Sequence, residues 1–200
     1  MTTKLLRLML VVAVFAFGTV GLAYAGSNLV TNGSFETGDF TGWTVSGDTS
    51  LIGVCSVSTC PGGFAPDEGT FAGFFGPVGD TASISQMLNT VPGQEYTLSF
   101  ELALPTAGTP NFFSVSLGSS TFSLTNFGGS FGWETFTLTD LATSNHTPLI
   151  FTFRNDPAYW FLDSVNVSSG GGTVPEPGTL ALFGSGVLGL AGFARRKFRP

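Results

Sequence analysis

The segment Tyr96-Thr97-Leu98-Ser99-Phe100 decides the fold class, because apolar and polar side chains alternate along it at every residue. An alternation of period two places apolar side chains on one face of a β-strand and polar side chains on the other. Phe151-Thr152-Phe153 shows the same alternation later in the chain. Both segments therefore predict strands of an antiparallel sheet that packs one face against a core.

Similar segments fill the chain between residues 26 and 170. Short runs rich in Val, Ile, Phe and Thr are bounded by Gly, Pro, Asn and Asp, a pattern typical of strands joined by turns. The predicted strands are Asn28–Thr31, Trp43–Val45, Ser50–Ser56, Thr70–Phe75, Ala82–Thr90, Glu95–Leu104, Phe112–Leu117, Thr121–Asn126, Thr135–Thr139, Leu149–Arg154 and Tyr159–Val167. No segment of this region has a helical period. The pattern predicts an all-β domain over residues 26–169, an antiparallel β-sandwich of jelly-roll type.

Charge is distributed very unevenly along the chain. The whole sequence has seven basic and thirteen acidic residues and a net charge of −6. Between residues 26 and 169, however, Arg154 is the one basic residue and faces twelve acids, so the domain has a net charge of −11. A domain with this charge should repel nucleic acid and anionic lipid. The composition therefore excludes a nucleic-acid partner and favours divalent cations or basic partners.

The N-terminus has the three parts of a secretory signal. Lys4 and Arg7 precede an uncharged run over residues 8–22, and Ala23-Tyr24-Ala25 matches a small-x-small cleavage site. We expect a signal helix within residues 1–25, with cleavage after Ala25. The alternative is an uncleaved N-terminal anchor.

The two cysteines, Cys55 and Cys60, lie inside the exported part of the chain. Because exported compartments are oxidising, the pair predicts a disulfide that closes a short loop. The alternative, a metal pair, lacks the nearby histidines that would complete a zinc site.

The C-terminal residues 174–200 consist of three different segments in sequence. Two prolines make the first of them an extended, exposed peptide, because proline lacks an N–H and fixes its φ angle. An uncharged run over residues 180–194 predicts a short transmembrane helix, for which a buried helix is the alternative. A basic end follows and should stay on the cytoplasmic side. The motif and the basic end comprise Val174, Pro175, Glu176, Pro177, Gly178, Arg195, Arg196 and Lys197.

This order of motif, apolar helix and basic end closely resembles the PEP-CTERM sorting signal of Gram-negative bacteria. The resemblance implies a partner, the membrane protease–transpeptidase called exosortase, which removes such tails after transient anchoring in the inner membrane. It also implies a destination at the cell envelope, the cell surface or the extracellular matrix, and an association with exopolysaccharide. A Gly-rich linker over residues 170–173 separates this tail from the predicted sandwich.

The two ends of the sandwich carry a second resemblance. Residues 28–36 followed by Gly42-Trp43 resemble the opening of galactose-binding-like jelly rolls, which include several families of carbohydrate-binding module. Phe161-Leu162-Asp163-Ser164-Val165-Asn166-Val167 is similar to their closing strand, with Ser164 at a position that is often Asp. The resemblance implies fold more than ligand.

The same resemblance implies that the first and last strands meet at a structural calcium ion. The residues that match are Glu36 and Asp163, whose carboxylates are the hard ligands that calcium prefers. The alternative is that Glu36 caps a turn and Asp163 accepts backbone hydrogen bonds.

Polysaccharide binding would need an exposed aromatic face. The candidates are Trp133, Tyr159 and Trp160. Along the last strand Tyr159, Val165 and Val167 share one face, and Trp160 lies on the other. If the valines mark the core, Trp160 becomes the better exposed platform; the alternative is that Trp160 belongs to the core.

Catalytic motifs are scarce in this sequence. His146 is the one histidine, and no Gly-x-Ser-x-Gly turn accompanies it. We therefore expect a protein that is not an enzyme: an exported cell-surface or matrix protein that binds polysaccharide, with calcium as its cofactor. The alternatives are a self-associating structural matrix protein without a glycan ligand and, with least support, a small hydrolase.

Overall fold

The computed structural model describes residues 26–169. The predicted signal peptide, the Gly-rich linker and the sorting tail with its hydrophobic helix lie outside these residues. The strands are β1 (Thr44–Gly47), β2 (Ile52–Cys55), β3 (Ala72–Phe75), β4 (Ala82–Asn89), β5 (Glu95–Leu104), β6 (Asn111–Leu117), β7 (Ser120–Thr125), β8 (Phe131–Leu141), β9 (His146–Asn155) and β10 (Trp160–Ser169). One 3₁₀ turn covers Pro61–Gly63. Within residues 26–169, no helix is long and apolar enough to cross a membrane.

The strands form two five-stranded antiparallel sheets. The first sheet has the order β1-β4-β9-β6-β7, and the second sheet has the order β2-β3-β10-β5-β8. Consecutive strands such as β4 and β5 belong to different sheets, so the chain crosses repeatedly between the two layers. The predicted all-β antiparallel sandwich is confirmed.

One predicted strand is wrong. Residues 28–31 form no strand, although the Leu29 N–H donates to the Val167 carbonyl at 2.8 Å. The Asn28 side chain replaces the missing ladder: its Oδ1 accepts from the N–H groups of Val30 and Val167 at 2.9 Å, and its Nδ2 donates to the Val165 carbonyl at 3.0 Å. Side-chain hydrogen bonds therefore attach this segment to β10.

The inner faces of the two sheets meet in a core dominated by aromatic rings. Phe75 of the second sheet stacks on Phe153 of the first sheet, with ring centroids 3.9 Å apart. Phe100 packs edge-on against Phe151 at 5.2 Å, again across the two layers. The buried core residues all lie between Val30 and Val167. A fragment of residues 26–169 therefore contains the complete core of the sandwich.

A β-bulge interrupts the regular pairing of β10. The pairing of β10 with β5 shifts register between Asp163 and Asn166, and Ser164 has a φ of 51°. A β-bulge adds one residue to one strand of a pair, so the alternation of side chains changes phase across it. Leu162 before the bulge and Val165 after it both reach the core, although three positions separate them.

Candidate functional site

The opening loop of the sandwich, residues 28–36, contacts the bulge of β10. The Val165 N–H donates to the Gly33 carbonyl at 2.9 Å, directly after the bulge. A Cβ atom on Gly33 would lie 2.0 Å from the Val165 carbonyl oxygen, so only glycine permits this close approach. Phe35, at a φ of 58°, is fully buried and stacks on Trp43 at 6.0 Å. The two ends of the domain are thus joined at one place.

Asp163 lies at this junction as a fully buried carboxylate. Its Oδ1 accepts from the Ser164 N–H at 2.7 Å, and its Oδ2 accepts from the N–H groups of Asp67 and Glu68 at 3.1 and 3.4 Å. Burial raises the pKa of Asp163 to about 7, and the negative charge of Glu68 adds to that rise. The backbone hydrogen bonds act in the opposite direction but do not cancel the burial.

Glu36 reaches the same loop from the other end of the chain. Its Oε1 accepts from the N–H groups of Thr70 and Phe71 at 2.8 and 2.9 Å. Gly69 makes room for this carboxylate, since a Cβ there would lie 2.3 Å from the same oxygen. Glu36 and Asp163 therefore both organise residues 67–71 by accepting backbone hydrogen bonds.

The chemistry of this junction can be compared with what calcium requires. In residues 26–169, no group of three or more His, Cys, Asp or Glu side chains could hold a metal ion. The charge balance nevertheless suits a cation, because Arg154, the one basic residue of this region, pairs with Asp156 at 2.8 Å. Among the described residues, only backbone N–H groups therefore offset the charge of Asp163. Glu36 and Asp163 contribute two hard carboxylates of the type that calcium prefers, which is fewer than the six to eight oxygen ligands that it takes.

Trp160 is not an exposed platform, and that prediction is wrong. Its side chain is fully buried between the sheets, 5.6 Å from the ring of Phe113 and 6.2 Å from that of Phe131. The indole N–H donates to the Arg154 carbonyl at 3.0 Å. The bulge is the reason. It shifts the alternation of inward and outward side chains, so the face assigned from Val165 does not predict the face of Trp160.

Trp133 and Tyr159, in contrast, are half-buried and lie on the outer face of the second sheet. They belong to an aromatic cluster, named here the outer cluster, that lies outside the inter-sheet core. Phe64 packs on Phe161 with centroids 4.6 Å apart and on Trp133 at 5.4 Å, and the Trp133 N–H donates to the Ala65 carbonyl at 3.0 Å. The aromatic members of the outer cluster are Phe64, Phe74, Trp133, Tyr159 and Phe161.

A pocket of about 320 Å³ opens beside the outer cluster. Three segments build it: the 3₁₀ turn with Phe64, Pro105-Thr106 after β5, and residues 157–159 before β10, with Phe161 beneath them. No lining residue is charged. The predicted disulfide between Cys55 and Cys60 is present. It closes a short loop that lies directly before the 3₁₀ turn and Phe64. Sequence reasoning missed Phe64, for which the adjacent disulfide loop was the available signal.

The family of the chain follows from comparison with known proteins. A family described as a protein of unknown function, DUF642, matches residues 34–168, which span the sandwich. The chain belongs to the DUF642 family. The PEP-CTERM protein-sorting motif matches residues 173–197, as the sequence predicted. This second match indicates export and sorting to the surface of a Gram-negative bacterium. No curated protein matches the chain.

Solved structures show the fold that this DUF642 domain shares. TmCBM61, solved in complex with β-1,4-galactotriose, has 18% identity and a TM-score of 0.58 over 71% of this chain and 98% of that chain. The tandem CBM22 modules of Xyn10C from Paenibacillus barcinonensis have 16% identity and a TM-score of 0.51 over 80% of this chain and 49% of theirs. The enzymatically active domain of tailspike protein 4 from bacteriophage CBA120 has 16% identity and a TM-score of 0.53 over 71% and 21%. The DUF642 domain therefore has the jelly-roll fold of carbohydrate-binding modules.

Proposed function

We propose that this DUF642 protein is a cell-surface or matrix protein that binds polysaccharide without altering it, through the pocket beside the outer cluster. The observation that carries the proposal is the pocket itself. Half-buried aromatic rings border a cavity of about 320 Å³ whose lining has no charge. This volume lies within the range of about 300–1,000 Å³ that is typical of ligand sites.

The chemistry of the pocket favours a neutral sugar ring. Aromatic faces attract the C–H groups of a pyranose, while Tyr159 in the lining supplies a hydroxyl group. The absence of lysine and arginine from its lining, in a domain with a net charge of −11, disfavours strongly anionic chains. The fold it shares with carbohydrate-binding modules supports the same class of ligand.

Tyr159→Ala and Phe64→Ala should each weaken polysaccharide binding at least about tenfold, because aromatic anchors at binding sites commonly contribute about 2 kcal/mol or more. Isothermal titration with neutral β-1,4-galactan and xylan measures the change. Phe127→Ala is the matched control, since Phe127 is an exposed phenylalanine outside the pocket and its loss should leave binding unchanged. Equal affinities in all variants, or no binding to any neutral polysaccharide, would contradict the proposal.

The sorting tail supplies the route to the surface. We expect exosortase to act on the peptide around Pro175, after the segment over residues 180–194 has anchored the chain in the inner membrane. The Gly-rich linker over residues 170–173 would make this peptide accessible. The mature sandwich would then be released from, or transferred beyond, that membrane.

A structural calcium ion is the second part of the proposal. Glu36 and Asp163 would hold it, because they bring two carboxylates from opposite ends of the chain to one loop. The ion would supply the positive charge that backbone N–H groups replace only in part. Calcium would then secure the junction between the opening loop and β10 and would not take part in any reaction.

Calcium should therefore raise the melting temperature of residues 26–169, by an amount equivalent to about 2.7 kcal/mol at a concentration about 100 times the dissociation constant. Asp163→Asn should abolish the rise, as measured by thermal unfolding with and without calcium. Asp140→Asn is the matched control, because Asp140 is also buried but accepts its hydrogen bonds from Ser119 and Ser120. An unchanged melting temperature would contradict the calcium site and would mean that Glu36 and Asp163 only accept hydrogen bonds from the loop.

A further inference from the structure

Strand β7 forms an edge of the first sheet that lacks the usual protection. Native edge strands are blunted by charge, proline, bulges or short length, because their free N–H and C=O groups can pair with another chain. β7 spans six residues, Ser120–Thr125, pairs with β6 in regular register, and contains neither charge nor proline. In the described residues, the other edges differ: β1 and β2 have four residues each, and β8 carries Glu134 and Asp140.

The hydrogen-bonding register identifies which groups of β7 point outward. Leu117 and Ser120 flank a two-residue turn, so this pair exchanges hydrogen bonds and every second pair after it does the same. The Asn126 N–H donates to the Asn111 carbonyl at 2.8 Å, which continues the same series. The N–H and C=O groups of the alternate residues Thr121, Ser123 and Thr125 consequently face away from β6.

An apolar seam lies beside this edge, between β7 and β8. Its side chains belong to the inner faces of the sheets but are only half-buried, because no further strand covers them within residues 26–169. Phe122 lies 5.5 Å from Phe136, and Phe136 lies 6.0 Å from Phe131. The seam comprises Phe122, Leu124, Phe131, Phe136 and Leu138. A strand added to β7 would shield its exposed side.

The strands of the first sheet carry no acid, although the Asp140 carboxylate of β8 accepts hydrogen bonds from Ser119 and Ser120 at the start of β7. None of the twelve acids in residues 26–169 lies on β1, β4, β9, β6 or β7. Across its outer face, one row of paired positions carries a hydroxyl on all five strands. This row consists of Ser46, Ser83, Thr152, Ser114 and Ser123.

We propose that two copies of this domain pair antiparallel through β7, so that their first sheets join into one continuous sheet. Ser123 would lie at the two-fold axis, opposite Ser123 of the partner subunit. Two copies with a net charge of −11 each repel one another wherever their acids meet, and the first sheet, whose strands carry no acid, is where they can approach. Serine and threonine hydroxyls both donate and accept, so the same surface complements itself.

Two-fold pairing of this kind closes after one step. It uses the β7 edge of both copies, and β1, the edge left at each end, has four residues. The product is therefore a dimer and not a filament. The proposal is independent of the aromatic pocket, which lies on the outer face of the other sheet.

Sedimentation velocity of residues 26–169 over a range of concentrations tests the proposal. We expect a dimer whose fraction rises with salt, because salt screens the repulsion between two acidic copies. Ser123→Pro removes an outward N–H that the ladder with β6 does not use, and it should raise the dissociation constant at least about tenfold. Ser123→Ala keeps that N–H and should still form the dimer.

A second pair of variants covers the case in which Ser123→Pro disturbs folding. Ser123→Glu places two carboxylates face to face at the two-fold axis and should give a folded monomer, with the melting temperature that the wild type has when diluted below its dissociation constant. Thr137→Glu makes the same addition of charge at an exposed position on the outer face of the second sheet and should leave the dimer intact. A wild-type monomer at about 100 µM, well above micromolar dissociation constants, would overturn the proposal, as would a dimer that survives Ser123→Glu.

Discussion

Trp160→Ala is expected to lower the free energy of unfolding by about 3–5 kcal/mol, the usual cost of truncating a large aromatic side chain in a core. The side chain is fully buried and packs between Phe113 and Phe131. Its removal would also leave the Arg154 carbonyl without the indole N–H that now donates to it at 3.0 Å. Neither loss can be relieved by solvent, because the site lies between two sheets.

Chemical denaturation of residues 26–169 measures this loss, provided that the slope of the transition is compared as well as its midpoint. Trp133→Ala is the matched control. Trp133 is half-buried in the outer cluster, so its truncation should cost less than about half as much. Similar costs for the two tryptophans would contradict the placement of Trp160 in the core.

The period-two pattern predicted the strands because it reflects a simple physical demand. A strand with one face in solvent and one face in the core must alternate polar and apolar residues. β5 does so from Glu95 to Leu102, and the strand continues two residues further to Leu104. Residues 28–31 show the limit of that argument. Their apolar pair, Leu29 and Val30, between two polar residues also looks like a short strand, yet the Asn28 side chain supplies the hydrogen bonds that a ladder would have made.

Trp160 shows why the site was harder to predict than the fold. The two faces of β10 were assigned from Val165 and Val167 on the assumption of an unbroken alternation. The bulge between Asp163 and Asn166 breaks it. Its cause is tertiary, since the opening loop with Gly33 must dock there, and no local pattern in β10 encodes that contact.

Contacts between residues far apart in the sequence also determine the surroundings of the other site residues. The sequence placed Glu36 and Asp163 together, and the structure brings both to residues 67–71. It could not indicate that backbone N–H groups of this loop would bind both carboxylates. Likewise Phe64 and Tyr159 line one pocket although about 95 residues separate them, and composition alone carries no such information.

The ionisation of Asp163 should make the metal-free domain less stable as the pH rises from about 4 to about 8. The folded-state pKa of about 7 lies above the ordinary value of 3.8, so the folded state holds the proton more tightly than the unfolded state does. Asp163 therefore favours folding fully below about pH 4, and this contribution is lost as the pH rises through 7. The shift corresponds to a loss of about 4 kcal/mol, at about 1.4 kcal/mol for each pH unit.

Denaturation at a series of pH values in the presence of a chelator measures this loss. Hydrogen bonds from Thr41 lower the pKa of Asp39, and those from Ser50 lower that of Asp48, so both titrate below the window and with the opposite sign. Asp163→Asn removes the titrating group while it keeps the other eleven acids of residues 26–169. Its stability should therefore change much less between pH 5 and pH 8. Parallel profiles for the two proteins would mean that Asp163 stays ionised in the fold, with its charge satisfied by the N–H groups of Asp67, Glu68 and Ser164.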